Sequence, residues 1–539
     1  MMCLSMPYSV RRICRAVGAG ALAALLSLAQ TLPAVAANVT GSGSGAGALL
    51  QPGATAGARP YELPTMLPHT LVDQVGYHVG GDKTAILRGA IPGGEFEVRD
   101  DETGATVFTG ILRSNVTDGG ESVCVASFTA LDEPGTYYLF NETLGESYSF
   151  RISEDIYQTL LRDSCKRFYR NRCGFTLTEA LAGEDAHSAC HMNDATLRAD
   201  ESVTLDVTGG WHLDAMADRD VSVGCSIMEE LLLAWEMDTE VFTDDVDIPE
   251  SGNGIPDILD EIRYEAEWLI KLQDTRSGGV YASAVTMGVG RGSTDAAILS
   301  ARVEVTPVSD AATIAFAAAL ARFGYDYRPY DEVLARECIR AADRAFRYYE
   351  KGTAQLRAEK GPMSDTARFL AAALLYRATG YMTYRSVLNE YFAQETFADT
   401  FLTDDALFHG GVVYLDTRQT QDVAVCELLM RQLIRGAEEL ADNSRESAWK
   451  VCRTDDMERL LDDILRLRVA DHVIYNYEYT TIVEDHLHYL MGRNPDAMNL
   501  VTEDTERTYS GSGVGSVLSD PVSLARFVSL LSVTCAESE

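Results

Sequence analysis

Between residues 173 and 220 the chain gathers the side chains best suited to chemistry. Cys173 lies in Arg-Cys-Gly, Cys190 and His191 close the run Ala-His-Ser-Ala-Cys-His, and His212 follows Gly-Gly-Trp. Two thiolates and two imidazoles form a closed tetrahedral donor set, of the kind zinc takes in structural sites. Sixteen residues separate the two cysteines and twenty the two histidines, which is no standard finger spacing, and His187 competes as a ligand. Two buried thiols and ordinary histidines would leave the same pattern. Just beyond stand Asp214, Asp218 and Asp220, in Trp-His-Leu-Asp-Ala-Met-Ala-Asp-Arg-Asp. Clustered carboxylates can take a proton from water while an aromatic such as Trp211 stacks on a sugar ring. Aspartates in a loop also serve as solvated turn formers.

The elements that must position these groups fall into two kinds. From residue 68 to 153 short β-prone runs (84–87, 96–99, 106–108, 122–125 and 136–140) are punctuated by Pro-Gly-Gly, Glu-Thr-Gly, Asp-Gly-Gly and Pro-Gly. That pattern predicts a small immunoglobulin-like β-sandwich. After Ser153 the period becomes helical. Ile156, Leu160, Leu161, Cys165 and Phe168 share one face of a helix, and Ile258, Ile262, Leu269 and Leu272 stripe another that opens at Pro256-Asp257. Further helices are predicted at 310–324, 331–350, 364–379, 420–441, 456–476 and 479–491, with strand patterns nearly absent. Residues 154–539 therefore read as paired helices in a toroid or barrel, a bundle being the alternative.

The chain opens with Arg11, Arg12 and Arg15, an apolar run from Ala16 to Leu32, and Ala34-Val35-Ala36-Ala37. This is the plan of a secretory signal peptide over residues 1–37, and it predicts a secreted protein with no transmembrane segment once the signal is cleaved. Residues 38–67, rich in Gly, Ala and Ser at their start, read as a flexible tether. In the whole sequence 81 acidic residues stand against 45 basic ones, a formal charge of −36. Such a field repels phosphate backbones, so nucleic acid is excluded as a partner, while a neutral polysaccharide or oligosaccharide is not. Nine cysteines follow the signal segment, an odd and irregularly spaced set that argues against a full disulfide framework.

Several stretches resemble family 9 glycoside hydrolases that carry an N-terminal immunoglobulin-like domain. Leu71-Val72-Asp73-Gln74-Val75-Gly76-Tyr77 is similar to the opening strand of that domain. Gly209-Gly210-Trp211-His212, the run IPESGNGIPDILDE from Ile248 to Glu261, and HLHYLMGRNP from His486 to Pro495 resemble signature blocks of the family, in the family's order. The resemblance covers roughly residues 69–498. It implies an (α/α)6 barrel behind the sandwich, a cleft for β-1,4-glucan or a related polysaccharide, and inverting hydrolysis of the cellulase type. It also implies that Cys173, Cys190, His191 and His212 hold structural zinc, and it adds calcium near the Ser251-Gly252 loop, as in some relatives.

The catalytic blocks depart from the family pattern. Where relatives read Asp-Ala-Gly-Asp after Gly-Gly-Trp-His, an ungapped alignment places Leu213 and Met216 at the carboxylate positions. A slip with one insertion restores Asp214 and Asp218 as the catalytic pair, with Trp211 as the substrate-binding aromatic. At the far end Pro521 falls where the family's acid Glu belongs, and Asp520, Glu503 and Glu506 are the stand-ins. Two expectations therefore stand: a glycoside hydrolase with weakened activity, or a carbohydrate-binding relative that has lost catalysis.

Overall fold

The computed structural model describes residues 61–114, 123–501 and 520–536. The predicted signal segment, the tether through residue 60, and Glu503 and Glu506 lie outside the described residues. The strands of the first region are β1 (Thr70–Leu71), β2 (Gly76–His78), β3 (Thr84–Arg88), β4 (Glu95–Asp100), β5 (Thr106–Ile111), β6 (Arg113–Ser114), β7 (Val123–Ser127), β8 (Gly135–Asn141), β9 (Gly145–Glu146) and β10 (Phe150–Ser153). They form two sheets, ordered β1-β3-β7-β6 and β2-β10-β8-β4-β5, with β9 paired to β8. The five predicted runs became β3, β4, β5, β7 and β8. In β4 the period-two pattern is clear: Phe96 and Val98 are buried, while Glu95, Glu97 and Arg99 are not.

Twelve helices of more than eight residues follow among the described residues. They are α1 (Ile156–Arg170), α2 (Val221–Met237), α3 (Asp257–Lys271), α4 (Asp310–Asp326), α5 (Glu332–Lys360), α6 (Thr366–Thr379), α7 (Met382–Phe392), α8 (Asp405–Asp416), α9 (Val423–Glu446), α10 (Met457–Ile474), α11 (Tyr477–Leu490) and α12 (Pro521–Ala536). Local sequence sets their starts. Asp220, Ser309, Asp331, Asp456 and Asn476 each accept backbone N–H bonds in the first turn of α2, α4, α5, α10 and α11. Helix α5 runs ten residues past the predicted 350, because Gly352 is carried through and the chain breaks only at Gly361-Pro362.

The expectation that strands are nearly absent after 153 is corrected by a five-stranded sheet. It joins β11 (Ala195–Leu197), β12 (Asp200–Leu205), β13 (Arg219–Asp220), β14 (Ser283–Met287) and β15 (Arg302–Val305) in the order β12-β11-β15-β14-β13. Its strands are short, and β12 is exposed almost throughout, so no apolar alternation marks it in the sequence.

The described chain divides into two compact units. In the unit of residues 161–435, α4 packs on α2, α5 and α6, and α6 on α8. Its interior carries charge: Arg322 of α4 pairs with Glu229 and Glu236 of α2 at 2.8 and 2.9 Å, and Arg377 of α6 reaches Glu236 at 2.5 Å. The second unit contains the sandwich and residues 436–536, in which α10, α11 and α12 pack on one another. Here Asp73, fully buried, accepts the Val75 and Gly76 N–H groups on one oxygen and meets His488 Nδ1 on the other at 2.7 Å. None of the nine cysteines is in a disulfide, and no described helix is long and apolar enough to cross a membrane.

Candidate functional site

Four of the predicted side chains converge in the first of these units. One ligand atom from each of Cys173, Cys190, His191 and His212 lies within 4.8 Å of the others, the only such group among the described residues. Cys173 Sγ is 3.8 Å from Cys190 Sγ and 3.4 Å from His191 Nδ1, and Cys190 Sγ is 3.5 Å from His212 Nε2. No disulfide joins these two sulfurs. Backbone contacts fix each ligand. Cys173, just past α1, donates its N–H to Gly210 O at 2.8 Å, and its carbonyl accepts Tyr264 OH from α3. His212 donates its N–H to Asn171 O at 2.7 Å. His191 sits at φ +50° and turns Nε2 onto the Ile298 carbonyl at 3.0 Å, which leaves Nδ1 with a lone pair toward Cys173.

The electrostatics suit cation binding. The hydrogen bond with Cys173, helped by those with His191 and His212, holds the Cys190 thiol well below its usual range. Burial keeps His212 below the ordinary histidine value, so its imidazole is neutral and free to ligate. His187 is outside the group: its Nδ1 faces the Ser188 carbonyl, and its ring lies 6.4 Å from that of His212. The Ser251-Gly252 loop is outside it too. There Asp244 accepts the N–H groups of Gly252 and Gly254, and Asp257 accepts Val246 N–H and Ser251 Oγ–H.

The segment leading from His212 into α2 is a closed lobe. Leu213 N–H donates to Asp218 O at 2.9 Å. Asp214 Oδ1 accepts the N–H groups of Met216 and Asp218, and Asp218 Oδ1 accepts Thr286 N–H from β14 at 2.7 Å. Ala217 takes the left-handed conformation at φ +59°, a place that favours glycine. Among the described residues neither Asp214 nor Asp218 has a partner on Oδ2, and Asp214 is exposed. Asp220 differs, since its carboxylate caps α2 by accepting Ser222 and Val223 N–H.

Trp211 departs from its expected role. It is 1% exposed with its ring against Phe168 at 5.5 Å, so no face is open to a sugar and the indole packs the core. Trp268 is equally buried and covers Gly210, where an added Cβ would come within 2.6 Å of the indole. In the other unit Pro521 is the first residue of α12, and Asp520 Oδ2 accepts Ser523 N–H as the cap of that helix.

Sequence reasoning missed two side chains that brace this lobe. Glu265 of α3 accepts Trp211 N–H at 2.9 Å, and burial pushes its carboxyl up to about 8. Arg219 donates Nη1 to the carbonyls of Val207 and Gly209 at 2.6 and 2.9 Å. A signal for Glu265 existed, because Asp257, Glu261 and Glu265 recur every four residues on the buried stripe of α3. Glu261, on the same stripe, meets Arg172 Nη2 at 2.7 Å and is raised by burial to about 7.

Paired helices that follow an immunoglobulin-like sandwich place the chain in the (α/α)6-barrel class of glycosidases, as its family match shows. The chain belongs to glycosyl hydrolase family 9: residues 157–509 match that family, and residues 67–146 match the cellulase N-terminal ig-like domain. It is 28% identical over 480 residues to a cellodextrinase of Butyrivibrio fibrisolvens, covering 81% of this chain and 85% of that protein. It is 28% identical over 417 residues to endoglucanase D of Acetivibrio thermocellus, covering 73% of this chain and 66% of that protein, so it spans just under two thirds of that relative. Among solved structures, a zinc-binding triple mutant of a family 9 endoglucanase superposes with a TM-score of 0.70 at 23% identity, over 86% of this chain and 100% of that one.

Proposed function

We propose that the protein is a secreted, inverting glycoside hydrolase of weakened activity, acting on β-1,4-glucan or a related polysaccharide, with Asp214 and Asp218 as the catalytic carboxylates. The observation that carries this reading is the lobe itself: both aspartates are anchored through Oδ1 and keep Oδ2 unpartnered. In an inverting reaction one carboxylate holds and deprotonates a water that attacks the anomeric carbon, while an acid protonates the leaving oxygen. Two rigidly held carboxylates suit the water side of that chemistry. The acid side is where the weakening enters, because Pro521 has no proton to give and Asp520 already caps α12. Loss of one such group lowers the rate by about two to four orders of magnitude.

The same change at Pro521 favours a second reading, a carbohydrate-binding relative without turnover. One experiment separates the two. The mature protein is incubated with mixed-linkage glucan and with cello-oligosaccharides, and new reducing ends are counted for the parent, Asp214→Ala and Asp218→Ala. The proposal expects slow release of reducing ends by the parent and loss in both variants. No release above blank, or variants equal to the parent, would refute it, and calorimetric binding without turnover would then favour the second reading.

Zinc is the metal we assign to Cys173, Cys190, His191 and His212. Tetrahedral zinc with bonds of about 2.3 Å to sulfur and about 2.0 Å to nitrogen sets S···S near 3.8 Å and S···N near 3.5 Å. The observed 3.8, 3.4 and 3.5 Å fit that sphere. With no open position for substrate or water, its role would be to cross-link the chain around the lobe. The division that goes with this function is a signal peptide at 1–37, a tether at 38–67, the sandwich at 68–153 and the barrel at 154–539.

A further inference from the structure

The lobe that carries Asp214 and Asp218 is closed from beneath by the residue that ends it. Arg219 follows Asp218 directly, and its backbone is paired in the sheet, with Arg219 opposite Ala284 of β14. Its side chain, 1% exposed, turns back to the start of the same segment and donates Nη1 to the carbonyls of Val207 and Gly209. The guanidinium lies 5.8 Å from the centre of the Trp268 ring, and its Nε and Nη2 have no hydrogen-bond partner among the described residues. A buried cation so incompletely satisfied is costly, and one carboxylate at contact distance would relieve it. The nearest compensation is indirect. Glu265 takes the N–H of Trp211 at the far end of the same backbone run, so guanidinium and carboxylate hold its carbonyls and its amide from opposite ends.

We propose that Arg219 is a positioning residue of this enzyme: by tying residues 207 and 209 to the strand that follows Asp218, it fixes the Leu213–Asp218 lobe and the relative aim of the two aspartates. The inference rests on the reading of Asp214 and Asp218 as the catalytic pair. The lobe is closed on itself by Leu213 N–H to Asp218 O and by Asp214 Oδ1, which accepts Met216 and Asp218 N–H. Thr286 ties it to β14 through its N–H on Asp218 Oδ1 and its hydroxyl on Ala217 O, and Arg219 lies across its base. The bonds on Asp214 Oδ1 are exposed and that from Thr286 N–H is part-buried, whereas Arg219 spans two carbonyls with its side chain buried. Without it residues 207–209 are no longer tied to the strand that follows Asp218, so the lobe is held only by its own turn and by Thr286, which loosens where Asp214 points relative to Asp218. Misplacement of reacting groups by about 1 Å costs on the order of a hundredfold in rate.

The test compares the parent with Arg219→Met and Arg219→Lys, with zinc content measured in each. Hydrogen exchange of peptides covering residues 207–219 is the readout that needs no turnover. The expected result is exchange of the lobe amides about tenfold faster in Arg219→Met, with helices α4 and α6 unchanged. With cello-oligosaccharide, kcat should fall by about ten- to a hundredfold and KM stay within about twofold, since substrate contacts are untouched. Arg219→Lys, which keeps a donor for one carbonyl, should recover part of both effects. Unchanged lobe exchange in a folded variant overturns the proposal, and so does faster exchange with kcat unchanged. If Arg219→Met does not fold, Arg219→Lys carries the same criteria with smaller expected changes. A parent that exchanges as expected but releases no sugar refutes the catalytic reading, while the exchange arm still decides whether Arg219 holds the lobe.

Discussion

Replacing Glu265 by Gln should flatten the way stability falls with pH. The carboxyl is 1% exposed, one oxygen holds Trp211 N–H, and the other lies 2.2 Å from where a Cβ on Gly224 would stand. Burial is the dominant cause that lifts it from 4.5 to about 8, with the Trp211 N–H and the charge of Arg219 opposing more weakly. Between these two values the unfolded chain has released the proton and the folded chain keeps it. Unfolding therefore releases one proton, and stability falls by about 1.4 kcal/mol for each pH unit in that window. The contribution is whole below about pH 4.5 and gone once pH has risen through about 8, a total on the order of 5 kcal/mol. Gln keeps a carbonyl to accept Trp211 N–H but cannot ionise. Urea unfolding followed by tryptophan fluorescence suits the test, since Trp211, Trp235 and Trp268, three of the four tryptophans, lie in the unit of residues 161–435. Between about pH 5 and pH 7.5 the parent should lose about 1.4 kcal/mol per unit relative to Glu265→Gln. Parallel curves would refute the claim that a protonated carboxyl braces Trp211.

Two further outcomes follow from other parts of the molecule. Metal analysis of the purified parent should give about one equivalent of zinc, while Cys190→Ser should hold under about a tenth of that and melt about 5 °C lower or more, because binding energy at a closed site is folding energy. In the second unit Asp73→Ala leaves His488 Nδ1 and the amides of Val75 and Gly76 buried without their acceptor, at a cost of about 3 to 5 kcal/mol. The fluorescence of Trp449, which lies in that unit with Arg88 5.9 Å above its ring, should report the loss, and an unchanged transition would contradict the burial of the pair.

Much of this architecture could be read from period alone, and the exceptions share a cause. The helices announced themselves through apolar stripes such as Ile258, Ile262 and Leu269, and through caps such as Asp331 and Asn476. The cluster of Cys173, Cys190, His191 and His212 was legible because thiols and imidazoles are rare and the family blocks fixed their order. The sheet of β11–β15 stayed hidden because its edge strand Asp200–Leu205 has no buried face to alternate with. Trp211 was misassigned as a sugar platform because its type says that it stacks but not on what, and Phe168 had already taken the ring. Arg219 left no trace, since its partners are backbone carbonyls that any sequence supplies.

Carboxylates are abundant in this chain, so their number cannot locate the chemistry, but their remaining hydrogen-bonding capacity can. Glu236 is held low within the field of Arg322 and Arg377 and has no freedom to exchange a proton near neutral pH. Glu250 and Glu261 share Arg172, Asp257 is filled by Val246 and Ser251, and Asp220, Asp331 and Asp456 are spent on helix starts. A base needs one oxygen fixed and another free, within reach of water. Asp214 and Asp218 meet that description on a single six-residue lobe, which is tied to a strand, follows His212 of the thiol–imidazole cluster and is backed by an inward-facing arginine. Rigidity of this kind is what a water-activating pair requires. On the proposed reading, the altered motif is an insertion accommodated around Ala217 at φ +59° with both carboxylates kept, and the rate then depends on the acid.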